Sequence, residues 1–577
     1  MTPADLQGLH TARADAPALH AAVLEGLLQR GWGRVPVQLA SADQAELAGL
    51  LAQWIAGAPL RDEDDLGLLV QARGPLRRLL EAVGLELGEV VGAALGATAR
   101  TLPSLDPLGR AKCAALADAR WILQLDLRAW SAREPSLAML FAIQAMDSRA
   151  LDATSLAGLR LLLDVLPSLP LAPLPLYVLP ALQRAAFLAS YIDTPSRYLG
   201  KAQLVAQARH SLAAQGLLAA PIPPRAAAAP PHLAVIGEGL APGHAMWRFF
   251  AEPLQELRRD FRVTLLGPAT HAPAAGDLAD ACIALKPSRD PVRDWTRQVL
   301  DTAPDIVFYP GIGMTFATFT LSLQRLAPLQ VASTATPAPS CSPVIDTTLL
   351  FEGLRVPPGF GPVLRYDHHV LRPARDGLPA PAPATEGPAR CIGVNAVAMK
   401  LNDAFLSAVE AVLEGSRHPT RVRFLPNVGG AELQALQRVL LARFPGAEVL
   451  PSMDHLAYLD ALRGCDLVLQ GFPFGGANTT NDALDLGIPV VAMEGPFLSG
   501  QTDRLLLAAR GLDALLCARD VPAYVSLGLR LLHDDAFAAD MRARLRDVPD
   551  EARRAHRGGT TAADAIRQLW QARESAA

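Results

Sequence analysis

Residues 465–500, CDLVLQGFPFGGANTTNDALDLGIPVVAMEGPFLSG, hold the densest set of groups with chemical potential in the chain. An apolar run ends at Gln470, a loop follows with Pro473, Gly475 and Gly476, and a helical pattern begins near Asn478. Asn478, Thr479 and Thr480 supply capping oxygens and backbone N–H groups at that start. A helix tip of this kind, with its dipole and its donors, suits a diphosphate. Asp482 falls one turn further, on the face of Asn478, where a carboxylate can accept hydrogen bonds from ribose hydroxyls. The same residues also read as an ordinary glycine loop with an N-cap and a solvated carboxylate, and the pattern alone leaves the two readings level.

Other candidates lie just past apolar runs. Lys400, in NAVAMKLN, follows the run 391–397 and offers a point charge for phosphate; in isolation a surface lysine ahead of a helix capped by Asn402 is the simpler reading. His455, in SMDHLAYL, stands at a helix start and can touch a base or phosphate, or be structural. The stretch 237–244, GEGLAPGH, joins a strand pattern to a helix pattern. It would bring His244 to a strand's carboxyl end with a near-neutral pKa suited to proton transfer, or serve as a plain connecting loop. Residues 309–313, YPGIG, end a similar run and can line the acceptor side. The acidic run DEDD at 62–65 reads as solvated, and Asp367, His368 and His369 lack a further carboxylate to make a metal site. No Asp-x-Asp ends a strand in the second half, so no metal-bound diphosphate is expected; Walker A and GxSxG motifs are missing as well.

These positions need a scaffold that presents loops at one edge. Residues 1–215 read as an all-α domain: apolar residues recur three and four apart over 19–29, 45–55, 76–83, 112–127 and 155–166. A Pro/Ala linker, 216–231, follows. Short apolar runs then alternate with helical ones. The runs 232–237, 261–267, 281–285 and 305–309 predict strands, with helices over 246–259 and 291–302. After a second Pro/Ala-rich stretch, 372–388, strands are expected at 391–397, 421–425, 447–450, 465–469 and 487–493. Helices fall between them at 402–414, 431–444, 455–463, 478–486 and 499–509, with a helical tail beyond 520. Alternation of this kind implies parallel sheets with right-handed crossovers and a ligand at the strands' carboxyl ends. The expected architecture is α/β of GT-B type, a plan that other two-Rossmann enzymes share: an all-α domain over 1–215, a Rossmann-like lobe over 232–371 on the acceptor side, and a second over 389–577 for the nucleotide.

Composition bounds the rest. A chain of 577 residues is too long for one core. Its 53 basic and 57 acidic residues leave a net charge of −4, which provides no general attraction for nucleic acid, and 5% aromatics offer few stacking platforms for single strands. The six cysteines are scattered without CxxC or zinc-ligand spacing and read as free thiols in a reducing compartment. The first 20 residues lack the continuous apolar core of a signal peptide. Residues 165–182 carry no charge but contain five prolines, whose missing N–H groups disqualify a membrane helix; a Pro-rich buried connection between helices is expected. The expected location is the cytoplasm.

Five segments together resemble glycosyltransferase family 41, and its bacterial cytoplasmic N-glycosyltransferase branch, which modifies high-molecular-weight adhesins, more than its eukaryotic O-GlcNAc transferase branch. They are YIDTPSRYLGK (191–201), GHAMWR (243–248), RLAPLQ (325–330), MKLN (399–402) and CDLVLQGFPFGGANTTNDALDLGIPVV (465–491). The resemblance spans roughly 190–515; the first 190 residues match only in being helical. It implies inverting, metal-independent transfer from a UDP-hexose, with glucose expected, to asparagine in Asn-x-Ser/Thr sequons of an acceptor protein such as an adhesin. No cofactor is implied beyond the UDP-sugar donor. Carried over by position, Lys400 would stabilise the leaving UDP, Asn478 and Thr479 would bind phosphate, Asp482 the ribose and His455 the nucleotide, while His244 would face sugar and acceptor. The chain departs from the family pattern on the acceptor side. Phe250 stands where a second histidine follows the first by six residues, and Ala335, Thr336 and Pro337 stand in place of Gly-His-Pro. Two other readings stay open: O-linked or glycan-extending transfer, and a non-catalytic nucleotide-sugar-binding scaffold whose helical domain recruits a partner.

Overall fold

A computed structural model describes residues 1–222, 230–240, 244–268, 275–286, 288–357, 360–367, 389–547 and 559–576. The stretch 372–388, with His368 and His369 before it, lies outside the described residues, as does much of the 216–231 linker. The chain forms two compact units, each built from two segments: residues 1–207 with 385–454, and residues 208–384 with 455–577.

Thirteen strands occur among the described residues. β1 (His232–Ile236), β2 (Arg262–Gly267), β3 (Ala281–Ala284), β4 (Ile306–Tyr309), β5 (Leu329–Ser333), β6 (Thr347–Phe351) and β7 (Val363–Tyr366) come first. β8 (Arg390–Val394), β9 (Thr420–Phe424) and β10 (Glu448–Val449) follow, then β11 (Leu467–Leu469), β12 (Val490–Met493) and β13 (Cys517–Ala518).

In the first unit, the 1–207 segment holds helices and no strand among the described residues, and its longest early helix, Glu63–Ala82, starts at Asp62, whose carboxylate accepts from the Asp65 N–H at 3.0 Å. Asp62, Glu63 and Asp64 are exposed, as expected of a solvated run, while Asp65 is buried and paired with Arg61. The proline-rich stretch behaves as its missing N–H groups require: two single 3₁₀ turns and extended backbone, with Leu166, Leu169, Ala172 and Leu174 buried. Gln207 reaches over to satisfy both the N–H and the carbonyl of Ala172 at 3.0 and 2.6 Å. Among the described residues no helix is long and apolar enough to cross a membrane. The helix Gly430–Arg443 packs against Glu63–Ala82. Gly430 carries φ 59°, and a Cβ there would run into the Arg34 carbonyl, so glycine is required twice over. β9 pairs in parallel with both β8 and β10.

The second unit is built on a seven-stranded parallel sheet of order β3-β2-β1-β4-β5-β6-β7. β1, β4, β5 and β6 are buried at every position, as strands covered on both faces must be. One face packs on the helix Ala245–Leu257 and on the chain's last helix, Ala562–Ala576, through Phe250, Leu254, Ile566 and Trp570. The other face holds Ile236, Leu266, Val299 and Leu321. β11, β12 and β13 form a second set of parallel strands in this unit. The strands β5, β6, β7 and β13 add to those expected from the sequence.

Candidate functional site

The loop after β11 is held from a distance. Asp503, inside the helix Leu498–Ala508, accepts from the N–H groups of Gly476 and Ala477 and from the Thr480 hydroxyl, each at 2.8 Å. The N-cap of the helix Asn478–Asp485 is Ala477, at φ 52°, with no side-chain cap. Asn478, Thr479 and Thr480 are therefore the first turn of that helix rather than its cap, and an internal carboxylate already takes two of the loop's donors. The glycines permit the close approach: a Cβ on Gly475 would strike Asp503, and one on Gly476 would strike the Gln470 amide and stand 2.5 and 2.6 Å from the Thr480 and Thr479 hydroxyls. Gln470 is fully buried, and both polar atoms of its side-chain amide lack a hydrogen-bond partner among the described residues.

One turn into the same helix, Asp482 meets Arg248 from the helix Ala245–Leu257. Arg248 Nη1 donates to both carboxylate oxygens at 3.1 and 3.3 Å and to His455 Nε2 at 2.5 Å. His455 Nε2 stands 3.5 Å from the carboxylate and its ring stacks on Tyr458. Accepting from a guanidinium requires an imidazole with Nε2 unprotonated, which leaves its proton on Nδ1. Asp482 is 5% and Arg248 12% exposed, while His455 keeps 31%, so the group has one open side. Two residues expected at the site are thus brought together, and a third that the sequence reading left without a role completes them. Arg248 was signalled by standing four positions after His244 at a helix start. Asp503 had no local signal, because its partners lie more than 20 residues upstream.

His244 caps the Ala245–Leu257 helix, its Nδ1 accepting from the Met246 N–H at 3.1 Å, and its ring lies over Gly239 at φ 59°. Burial and the nearby Arg248 lower its pKa, so the imidazole is neutral at pH 7. At the carboxyl end of β1, Glu238 is fully buried. Its Oε1 accepts from the Gly313 and Thr315 N–H groups at 3.2 and 2.9 Å and from the Thr318 hydroxyl. Burial outweighs those donors and pushes its pKa up to about 7. Tyr309 is a core residue of β4, and Thr336 is buried beside Gly311. Phe250 is buried against Phe351, a core position rather than a site position.

Lys400 belongs to the first unit. It ends a 3₁₀ turn, Ala398–Lys400, after β8, and its carbonyl accepts from the Asn402 side chain at 3.2 Å. Asn402 in turn caps the helix Asp403–Gly415 through the Phe405 N–H at 3.1 Å. Among the described residues no three His, Cys, Asp or Glu side chains gather in a way that could hold a metal ion.

No family model matches the chain. Two curated relatives, both named UDP-glucose:protein N-beta-glucosyltransferase and both from Actinobacillus pleuropneumoniae, are similar to it. The serotype 5b protein is 25% identical over 328 residues, covering 54% of this chain and 52% of its own length. The serotype 7 protein is 26% identical over 264 residues, covering 43% and 42%. The chain thus spans about half the length of the curated relatives it matches. A solved structure, that of a mutant of the Thermobaculum terrenum O-GlcNAc transferase, aligns over 100% of this chain and 98% of its own at a TM-score of 0.59 and 19% identity. That likeness carries the fold: α/β of GT-B type with a helical N-terminal region, as expected from the strand and helix pattern.

Proposed function

We propose that the chain is an inverting, metal-independent glycosyltransferase that moves a hexose, glucose first among the candidates, from UDP to asparagine side chains of an acceptor polypeptide in the cytoplasm. The observation that carries this reading is the glycine loop and helix start at 475–482 joined to the Arg248–Asp482–His455 group. The similarity to UDP-glucose:protein N-beta-glucosyltransferases supports it. In this reading the start of the Asn478–Asp485 helix, with Asn478 and Thr479, faces the diphosphate. A carboxylate has about four lone-pair positions, so Asp482 holds Arg248 and still accepts from ribose hydroxyls. His455, oriented by Arg248, presents its Nδ1–H and its ring to the nucleotide. Lys400 neutralises the charge that develops on the departing UDP, which is where a fixed positive group lowers the barrier. An amide nitrogen is a weak nucleophile, so leaving-group stabilisation and positioning carry most of the acceleration. His244, neutral at the sugar side, orients the helix that bears Arg248 and faces the acceptor.

The test is incubation with UDP-glucose and an Asn-x-Thr peptide, reading UDP release and peptide mass. A peptide heavier by one hexose on asparagine supports the reading. The core position of Phe250 and the buried Thr336, which leave no second histidine there, favour a second reading: transfer to Ser/Thr or to a sugar already in place. UDP release only with hydroxyl or glycosylated peptides selects that reading. UDP binding without turnover on any acceptor selects a scaffold.

A further inference from the structure

Inside the first unit, a cavity of about 290 Å³ opens between the helical segment and the β8–β9 segment. Four guanidiniums line it, those of Arg77, Arg78, Arg149 and Arg184, against two carboxylates, Asp147 and Glu432. Glu81 stands behind them, bonded to Arg77 at 2.7 Å. Asp147 is shared among Arg184, Arg77 and the buried Arg73, and the crowd of cations holds its carboxyl well below the usual range against the cost of burial. Arg149 Nη2 reaches Glu432 and its Nε reaches Glu81, each at 3.1 Å. The guanidiniums here outnumber the carboxylates of Asp147, Glu432 and Glu81, so positive charge is in excess. Arg149 Nη1 and Arg77 Nε are buried without a hydrogen-bond partner among the described residues. Arg78 bonds the Gly33 carbonyl at 2.8 Å and no carboxylate among the described residues.

Arg78 and the half-exposed Arg184 present guanidiniums to this space, and a planar or tetrahedral anion pairs with both at once. The remaining wall mixes apolar residues, Met399 and Leu188 among them, with Ser148 and Asn427. The volume equals roughly ten water molecules, enough for a small organic acid or an acidic side chain and its neighbour, and too small for a nucleotide sugar. Residues 397–399 and 401 form one side, so an occupant touches the segment that carries Lys400.

We propose that this cavity binds an organic anion, a carboxylate or phosphate carried beside a short apolar group. The chemistry is shared by a free small acid and by an acidic side chain of the acceptor polypeptide. The site stands without the transfer reading, because binding is measured without UDP-sugar.

Calorimetry on the full chain uses inorganic phosphate, and an Asn-x-Thr peptide carrying Glu-Leu beside the sequon against its Gln-Leu counterpart. Binding of either anionic probe is expected. R149Q and R78Q each weaken it about tenfold or more, while E432Q, which removes a competing carboxylate, strengthens it several-fold. The opposite signs separate ligand binding from simple loss of a structural ion pair, which would weaken all three. The rim variant R184Q, at a half-exposed position, replaces R149Q if the latter fails to fold. Preference for the Glu peptide over the Gln peptide assigns the source to the acceptor; phosphate binding with equal peptides assigns it to a free anion. No binding of phosphate or of the Glu peptide, or weakening by E432Q, overturns the proposal.

Discussion

Asp482 and Arg248 stand 234 positions apart in the chain and 3.1 Å apart in the fold. Removing one member of such a mostly buried pair strands the other, so D482A and R248A should each cost about 3 kcal/mol, and the double variant clearly less than their sum. Thermal denaturation of the set checks this, and calorimetry should show weaker UDP binding in both singles. K400A should lower transfer by about 100-fold or more while leaving the melting temperature unchanged, because it removes charge stabilisation from a partly exposed position; unchanged turnover removes Lys400 from the mechanism. Glu238 supplies a pH signature. Its pKa is about 7 in the fold against an ordinary 4.5, so the native state binds the extra proton between those values. Stability is therefore full below about pH 4.5 and declines toward pH 7, by on the order of 3 kcal/mol. E238Q, which cannot ionise, should flatten this part of the stability-pH curve; a curve that keeps its slope would place the titration elsewhere.

At the scale of elements, the start of the Asn478–Asp485 helix depends on a residue of the next helix. Asp503 satisfies two main-chain donors and one hydroxyl, so D503A should cost about 2–4 kcal/mol and loosen the loop. Hydrogen exchange at Gly476 and Ala477 would rise, and UDP affinity would fall with it. The sequence pattern locates this strand, loop and helix to within two residues at the strand start and one at the helix end, because an apolar run, two glycines and a helical face are local signals. It assigns the cap to the wrong residues, because Ala477 at φ 52° is tolerated only through Asp503's grip on its N–H. Strands β5 to β7 escape the pattern for a related reason. They lie in the Thr-, Ser- and Pro-rich stretch 329–366, where burial comes from the sheet and not from a run of aliphatic residues.

At the scale of the molecule, residues 1–207 and 385–454 form one unit, so the helical segment is part of the scaffold beneath Lys400 and not an appendage. Gln434 bonds both polar groups of the Val37 main chain at 2.7 and 3.1 Å, and Asp403 N–H bonds the Ala150 carbonyl at 2.8 Å. A chain lacking residues 1–207 should therefore expose the packed face of the Gly430–Arg443 helix and aggregate, which size-exclusion chromatography would read; a monomeric, cooperatively folding product would refute this. The amino-acid order by itself determined the alternation of strands and helices, the two Rossmann-like halves and the glycine loop, since each follows from local periodicity, backbone freedom or a short motif. Only the tertiary structure decided that Arg248 clamps Asp482 and His455, that Asp503 closes the loop, and that the N-terminal helices share a unit with residues 385–454. Those contacts join residues tens to hundreds of positions apart; periodicity shows that a face is apolar, but not which distant face or charge it will meet.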